Sequence, residues 1–316
     1  MVEYNTKLIE TAVRELERGG MVAFPTETVY GLGADAANAE AIGRVYALKG
    51  RPADHPSIVH LDSLDKLECW AANIPQAAWR LAEHFWPGPM TLILPKQPQV
   101  LPQVTGGQDS VGLRIPAHPL TRRLIAEFGR GIIGPSANRF SHVSPTTAQH
   151  VRSDFGDSIP CILDGGPCQV GVESTIIDFS HPQPVIVRPG MLSASAISQL
   201  AGFPIKYGQG SRAPGTLKKH YSPHSPARLV TEAHLNEVLE GYPGQVVLLA
   251  QTLKVSTVER LRVLPMPQQA QAYAHELYGM LRYADSLNPT IILIEEPPQD
   301  EAWAAVHDRL KRSAAQ

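Results

Sequence analysis

The feature that most limits how this chain can fold is a series of short apolar runs, each ended by glycine, proline or a small polar residue. They fall at Met21–Phe24, Ser57–Leu61, Met90–Leu94, Ser110–Ile115, Gly131–Ile133, Pro160–Leu163, Ser174–Phe179 and Val185–Arg188. Runs of this length, bounded by turn residues, read as buried strands. Stretches with helical spacing lie between several of them, near 38–48, 63–70, 75–85, 118–128 and 193–201. The alternation is irregular and some strands follow one another closely, which predicts a mixed sheet with helices packed against it. The chain opens with an amphipathic helix in which Leu8, Ile9, Ala12, Val13 and Leu16 share a face; Asn5 or Thr6 caps its start and Gly19-Gly20 ends it.

From about Gly202 the pattern dissolves into FPIKYGQGSRAPGTLKKHYSPHSP, rich in glycine, proline, serine and cations, and this reads as a linker that fits poorly into a packed core. Beyond it come a strand at 227–231, a helix at 233–240, the strand Gln245–Ala250, a long helical stretch near 267–286, the strand Thr290–Ile294 and a helix from 299. These describe a small parallel α/β domain. The expected organisation is therefore a first domain at 1–203, a linker at 204–226 and a second domain at 227–316.

Composition removes several function classes. With 43% apolar and 18% charged residues the chain has ample material for a core and is not a disordered segment. A net charge of −2 excludes a globally basic nucleic-acid binder, while leaving room for a local basic cavity. Cys69, Cys161 and Cys168 form no C-x-x-C pair, so neither a disulfide framework nor a structural zinc site is written here. No secretory signal and no run of membrane-spanning length is present, so a cytoplasmic location is expected. The P-loop, G-x-S-x-G, G-x-G-x-x-G and H-E-x-x-H signatures are all missing.

What remains is a set of strand ends that present small hydroxyls, amides and cations. Thr26, Glu27 and Thr28 follow the first strand in a loop running to Gly33, where they can face a ligand or simply cap a turn. Lys49 and Arg51, taken as extended, point the same way; a solvated cation pair has the same spacing. His60 ends the strand SIVHL, as a packed histidine also does. Ser110 and Arg114 share one face of an otherwise apolar strand, and a buried guanidinium needs an anion, either an internal carboxylate or a substrate's. Ser136 and Asn138 in GPSAN, then Ser141 and Ser144, repeat the pattern with neutral donors, each singly readable as a capping residue. Thr175 opens a strand after Gly171, and Arg188 closes the next one before a Pro-Gly turn.

These strings, in this order, resemble the YrdC/Sua5 family: FPTETVYGLGADA, KGRPADHPSIVHL, WPGPMTLIL, VGLRIPAHP, GPSAN, SPT, DGG, GVESTIIDF and VRPG, followed by PGTLKKHYSPHSP. The resemblance implies an α/β fold, a YrdC-like twisted mixed sheet with helices and a large cationic cavity, plus a small Rossmann-like C-terminal Sua5 domain. The activity it implies is nucleotidyl transfer: L-threonine, bicarbonate and ATP give L-threonylcarbamoyladenylate and pyrophosphate, for modification of adenosine 37 in tRNAs that read ANN codons.

The resemblance makes Lys49 and Arg51 catalytic phosphate clamps and assigns threonine to Thr26, Thr28, His60, Arg114 and Thr175. It assigns ATP to Lys49, Arg51, Ser110, Ser136, Asn138, Ser144, Arg188, His220 and Tyr221. Mg²⁺ is expected on the ATP oxygens rather than on protein ligands. The implied partners are tRNA threonylcarbamoyl-transfer proteins, met transiently, with at most weak direct contact to tRNA and none with membrane. The linker cations and prolines suit a lid over the cavity, or a plain tether. Two other readings compete: a carbamoyl-adenylate-forming hydrogenase-maturation enzyme, against which the three scattered cysteines count, and a non-catalytic RNA-binding module, against which the near-neutral charge counts.

Overall fold

A computed structural model describes residues 6–253 and 259–315. Helix Thr6–Glu17 buries Ile9, Ala12 and Leu16, the face its spacing predicts, while Asn5, one of its two expected caps, lies outside the described residues. These side chains pack with Val22, Phe24, Leu120, Leu124, Ile125 and Phe128 in one apolar cluster.

The first sheet contains β1 (Val22–Phe24), β2 (Gly31–Asp35), β3 (Ile58–His60), β4 (Met90–Pro95), β5 (Ser110–Arg114), β6 (Ile132–Ile133), β7 (Cys161–Ile162), β8 (Thr175–Asp178), β9 (Val185–Arg188) and β10 (Lys206–Tyr207). Their order is β10-β9-β8-β4-β5-β3-β6-β2-β1-β7. Pairing is mixed, as expected: β3 with β5 and β4 with β8 run parallel, whereas β1 with β2, β4 with β5 and β8 with β9 run antiparallel.

Three local expectations are corrected. The stretch through Gly33, taken as a loop, is strand β2; a Cβ at Gly31 or Gly33 would stand 2.5 or 2.8 Å from the Phe24 ring, so the glycines are there to let that ring cross the strand. Lys49 and Arg51 do not lie on an extended stretch. Lys49 ends helix Ala39–Lys49, and Gly50, left-handed at φ 64°, caps it. The segment 204–226 is no loose linker either: β10 pairs parallel with β9, while His220 and Tyr221 are buried.

The second sheet holds β11 (Ala227–Val230), β12 (Val246–Ala250), β13 (Leu261–Pro265) and β14 (Ile291–Glu295) in the order β11-β14-β12-β13, all parallel. VVLLA is apolar along its length, and IILIE up to its final Glu295, because helices cover both faces of such a sheet. The two sheets share a core. Val29, Val143 and Val172 from loops of the first domain cluster with Tyr221 and with Tyr273, Leu277, Tyr278 and Trp303 of the second. That packing brings helices Ala270–Ser286 and Ala304–Ser313 up to the strand ends of the first sheet.

Candidate active site

The strand-end loops line a narrow cavity whose empty space, open solvent included, is about 490 Å³; its walls include Thr28, Arg51, His60, Arg114, Ser136, Glu173, Arg188, Gly215, His220 and Tyr221. Eight of the expected site residues thus share one wall system, although they come from strand ends and loops spread along the chain from Thr28 to Tyr221.

Its most informative property is charge without counter-charge. Lys49 is buried, and its Nζ donates to the Ser136 and Asn138 carbonyls. Arg51 donates to the Pro56 carbonyl at 2.6 Å and lies over the Tyr46 and Phe140 rings. Arg188 donates to the Ser174 carbonyl at 3.1 Å, the Ser174 hydroxyl at 3.0 Å and the Pro214 carbonyl at 2.9 Å. No carboxylate among the described residues reaches any of the three within ion-pair distance. Burial, then the neighbouring Arg51, holds the Lys49 ammonium well below its ordinary value, and burial lowers Arg51 and Arg188 as well. Desolvated cations in this state are stabilised by an incoming anion.

Unpaired polar atoms point to the same space. Arg51 Nε, His60 Nδ1 and the Tyr221 hydroxyl are buried with no hydrogen-bond partner of good geometry among the described residues. Natural proteins rarely leave such groups unmet, and a ligand or water in the cavity is one way to satisfy them. Burial and then Arg114 bring His60 down to about 3, so the imidazole is neutral at pH 7 and offers one donor and one acceptor. His220, lowered chiefly by burial to about 3, is neutral too. Tyr221 adopts φ 57°, a left-handed backbone that a tyrosine holds only when its surroundings impose it. Gly215, at φ 78°, sits so close that a Cβ there would run into the Tyr221 hydroxyl.

Arg114 has found an internal anion, one of the two outcomes its position allowed. Its Nη2 lies 2.6 Å from Glu27 Oε1 and its Nε donates to the Gly88 carbonyl at 3.2 Å, yet its side chain still lines the cavity. Several expected residues stand behind the wall rather than in it. The Thr26 hydroxyl donates to the Val29 carbonyl at 2.7 Å and accepts from the Thr28 and Val29 amides, a capped turn that shapes the loop carrying Thr28. Thr175 Oγ1 accepts from the Leu192 amide at 3.3 Å. Asn138 Nδ2 donates to the Arg139 and His142 carbonyls, and the Ser144 hydroxyl donates to Glu173 at 2.6 Å. Ser110 lines a smaller neighbouring cavity with Arg212 and Pro214.

Sequence reasoning missed Glu173, although it quoted the string that contains it. Burial alone would raise this carboxyl, but Arg309 and Arg188, then the hydrogen bonds from Ser144 and Arg309, bring it down to about 2. The signal was present: an acid among small and apolar residues asks for a buried partner just as Arg114 does. No group of three or more His, Cys, Asp or Glu side chains among the described residues is placed to hold a metal ion, and no described helix is long and apolar enough to cross a membrane.

Comparison with known proteins aligns nearly the whole chain. The Sua5/YciO/YrdC family model, described as telomere recombination, matches residues 14–190, and a model described as the threonylcarbamoyl-AMP synthase C-terminal domain matches residues 191–315. A threonylcarbamoyl-AMP synthase of Pyrococcus abyssi is 38% identical, over 97% of this chain and 94% of that one. One of Bacillus subtilis is 36% identical, over 98% and 94%. The crystal structure of P. abyssi Sua5 complexed with L-threonine superposes with a TM-score of 0.88 at 36% identity, covering 97% of this chain and 94% of that chain.

Proposed function

Because the chain belongs to the Sua5/YciO/YrdC family and is alike over nearly its full length to threonylcarbamoyl-AMP synthases, we infer that it catalyses their reaction, in the cytoplasm and for tRNA modification. Threonine and bicarbonate condense to a carbamate with loss of water. A carbamate oxygen attacks the α-phosphorus of ATP, pyrophosphate leaves, and threonylcarbamoyl-AMP remains. Nucleophile and leaving group both belong to the substrates, so the protein supplies position and charge rather than a covalent nucleophile.

The observation that carries this reading is the set of buried cations facing only carbonyls and hydroxyls around a cavity with unmet donors. A triphosphate supplies the missing negative charge. Arg51 and Arg188 are assigned to its phosphates, with Ser136, His220 and Tyr221 beside them; Lys49 acts through the Ser136 and Asn138 carbonyls it holds. Thr28, His60 and Arg114 take threonine, Arg114 meeting its carboxylate with the donors that Glu27 and Gly88 leave over. Thr26, Thr175, Asn138 and Ser144 support those walls, and Ser110 lies at the neighbouring cavity. The cavity-side carboxylates Glu27 and Glu173 are each engaged by an arginine, so the donor set does not suit a protein-held metal; Mg²⁺ belongs to the ATP complex.

Segment 213–222 contributes Pro214, Gly215, His220 and Tyr221 to the cavity wall, and in this reading it acts as a lid that keeps water from the adenylate until a transfer protein collects it. The deciding experiment is ATP–pyrophosphate exchange with purified protein. Exchange that requires both threonine and bicarbonate is expected; exchange that runs on carbamoyl phosphate instead, or no exchange beside tight RNA binding, sinks the assignment.

A further inference from the structure

A buried charge network beside the cavity joins the two domains. Glu173 Oε1 accepts from the Ser144 hydroxyl at 2.6 Å, while its Oε2 accepts from the Tyr278 hydroxyl at 2.8 Å and from Arg309 Nε at 2.7 Å. Tyr278 and Arg309 belong to the C-terminal domain, on helices Ala270–Ser286 and Ala304–Ser313. Arg309 is fully buried. Its remaining donors reach the Pro189 carbonyl at 2.9 Å, the Glu173 carbonyl at 3.3 Å and Asp308 at 2.6 Å, and its guanidinium lies 5.2 Å from the Tyr221 ring centre.

Glu173 lines the same cavity as Arg188. Arg188 is held by Ser174, the residue after Glu173, and by the Pro214 carbonyl, and makes no ion pair of its own among the described residues. A buried carboxylate takes whatever cation it can reach, because an unpaired one pays the full desolvation penalty. If Arg309 did not hold Glu173, Arg188 is the cavity guanidinium beside it, and a pair between them would turn its donors away from phosphate.

We propose that Arg309 is a positioning residue for the nucleotide end of the cavity: by engaging Glu173 it leaves Arg188 free to bind the phosphates of ATP. The C-terminal domain then contributes one charge to the site without touching the nucleotide. This rests on the reading of the cavity as an ATP and threonine site.

The test uses full-length protein and two readouts, ATP affinity by calorimetry and the threonine KM by pyrophosphate exchange. Arg309→Met is expected to weaken ATP binding roughly tenfold, the scale of one charge-assisted hydrogen bond, with the threonine KM little changed. Arg309→Lys keeps the charge but not the fork and should fall between. The double variant Glu173→Gln with Arg309→Met should recover most of the ATP affinity, since no carboxylate is left to capture Arg188. Should Arg309→Met fail to fold, the comparison of Glu173→Gln with and without Arg309→Met still decides: ATP affinity should be alike in the two. An ATP loss that Glu173→Gln does not recover, equal losses for ATP and threonine, or no loss at all would each overturn the proposal. A wild-type chain that binds no ATP overturns the cavity reading beneath it, which separates the two failures.

Discussion

Both domains end parallel strands in a crevice, and the two crevices treat charge in opposite ways. In the first, Lys49, Arg51 and Arg188 are buried against carbonyls and hydroxyls, with no carboxylate among the described residues within ion-pair distance. In the second, at the ends of β11, β12 and β14, the anion is already in place: Glu295 accepts from the Gln251, Thr252 and Leu253 amides and from the Thr252 hydroxyl. Strand ends of an α/β sheet are where ligands generally bind, yet only one of these two lacks its counter-charge. Fold therefore locates candidate crevices, and unmet charge is what singles out the first of them as the proposed ligand site.

The sharpest way to break this comparison is to neutralise one residue in each crevice. Arg188→Met should lower threonine-dependent pyrophosphate exchange by about a hundredfold or more, the scale of losing a preorganised charge in a closed site. Glu295→Ala should leave exchange near the wild-type rate. Comparable losses from the two would erase the distinction.

Gly215→Ala comes next. The new methyl group is forced onto the Tyr221 hydroxyl, and φ 78° disfavours any side chain. Exchange should fall roughly tenfold through displacement of Tyr221 and the loop before it, by analogy with other misplaced active-site groups. A fully active variant would show that Tyr221 can move without consequence.

Glu295→Ala has its own cost, which belongs to stability rather than turnover. Removing the carboxylate strands the amides it caps, and thermal unfolding should report a loss of about 1–3 kcal/mol. An unchanged melting temperature would mean that water replaces the carboxylate there without penalty.

Acid should separate the two regions in a graded way. His60 and His220 are held neutral, at about 3, mostly by burial, so their contribution is intact above the unfolded value of 6.5 and is lost as pH falls toward 3. Glu173, at about 2, and Glu295, lowered by the Thr252 hydroxyl and the amides around it against the effect of burial, are carboxylates whose contribution is lost only below the unfolded value of 4.5. Hydrogen exchange between pH 7 and 5 should then show the cavity segments losing protection before the β12–β14 crevice, and His220→Gln should blunt that loss. Simultaneous loss in both regions would contradict the burial account. Smallest of all, Cys69, Cys161 and Cys168 take no part in either crevice's charge balance, and replacing each by serine should leave exchange intact; a dead but folded triple variant would reopen the question of a covalent intermediate.

Much of this was legible in the chain because it is local. The strands at Met21–Phe24, Ser57–Leu61, Met90–Leu94 and Ser110–Ile115 announce themselves by unbroken apolar runs. Strand β2 did not, because its glycines mimic a turn and only the Phe24 ring lying across them explains why they belong in a sheet. Strand β13 was missed for a related reason: LRVLP carries an arginine and a proline, tolerable on the edge of the second sheet but unlike a buried run. His220 and Tyr221 looked too polar, in too polar a segment, for the core they occupy, since burial there depends on Tyr278 and Arg309 arriving from the far end of the chain.

The amino-acid order by itself determined most of the segments that form strands and helices, and it named the cations and some of the hydroxyls that gather at the cavity, because side-chain periodicity and turn chemistry act over a few residues. Only the tertiary structure decided which charge meets which. Arg114 pairs with Glu27 across 87 residues and Arg309 with Glu173 across 136, while Lys49, Arg51 and Arg188 have no carboxylate among the described residues within ion-pair distance. The physical reason is that a pair's strength depends on separation and on the water excluded from both partners, and both are set by how distant segments pack.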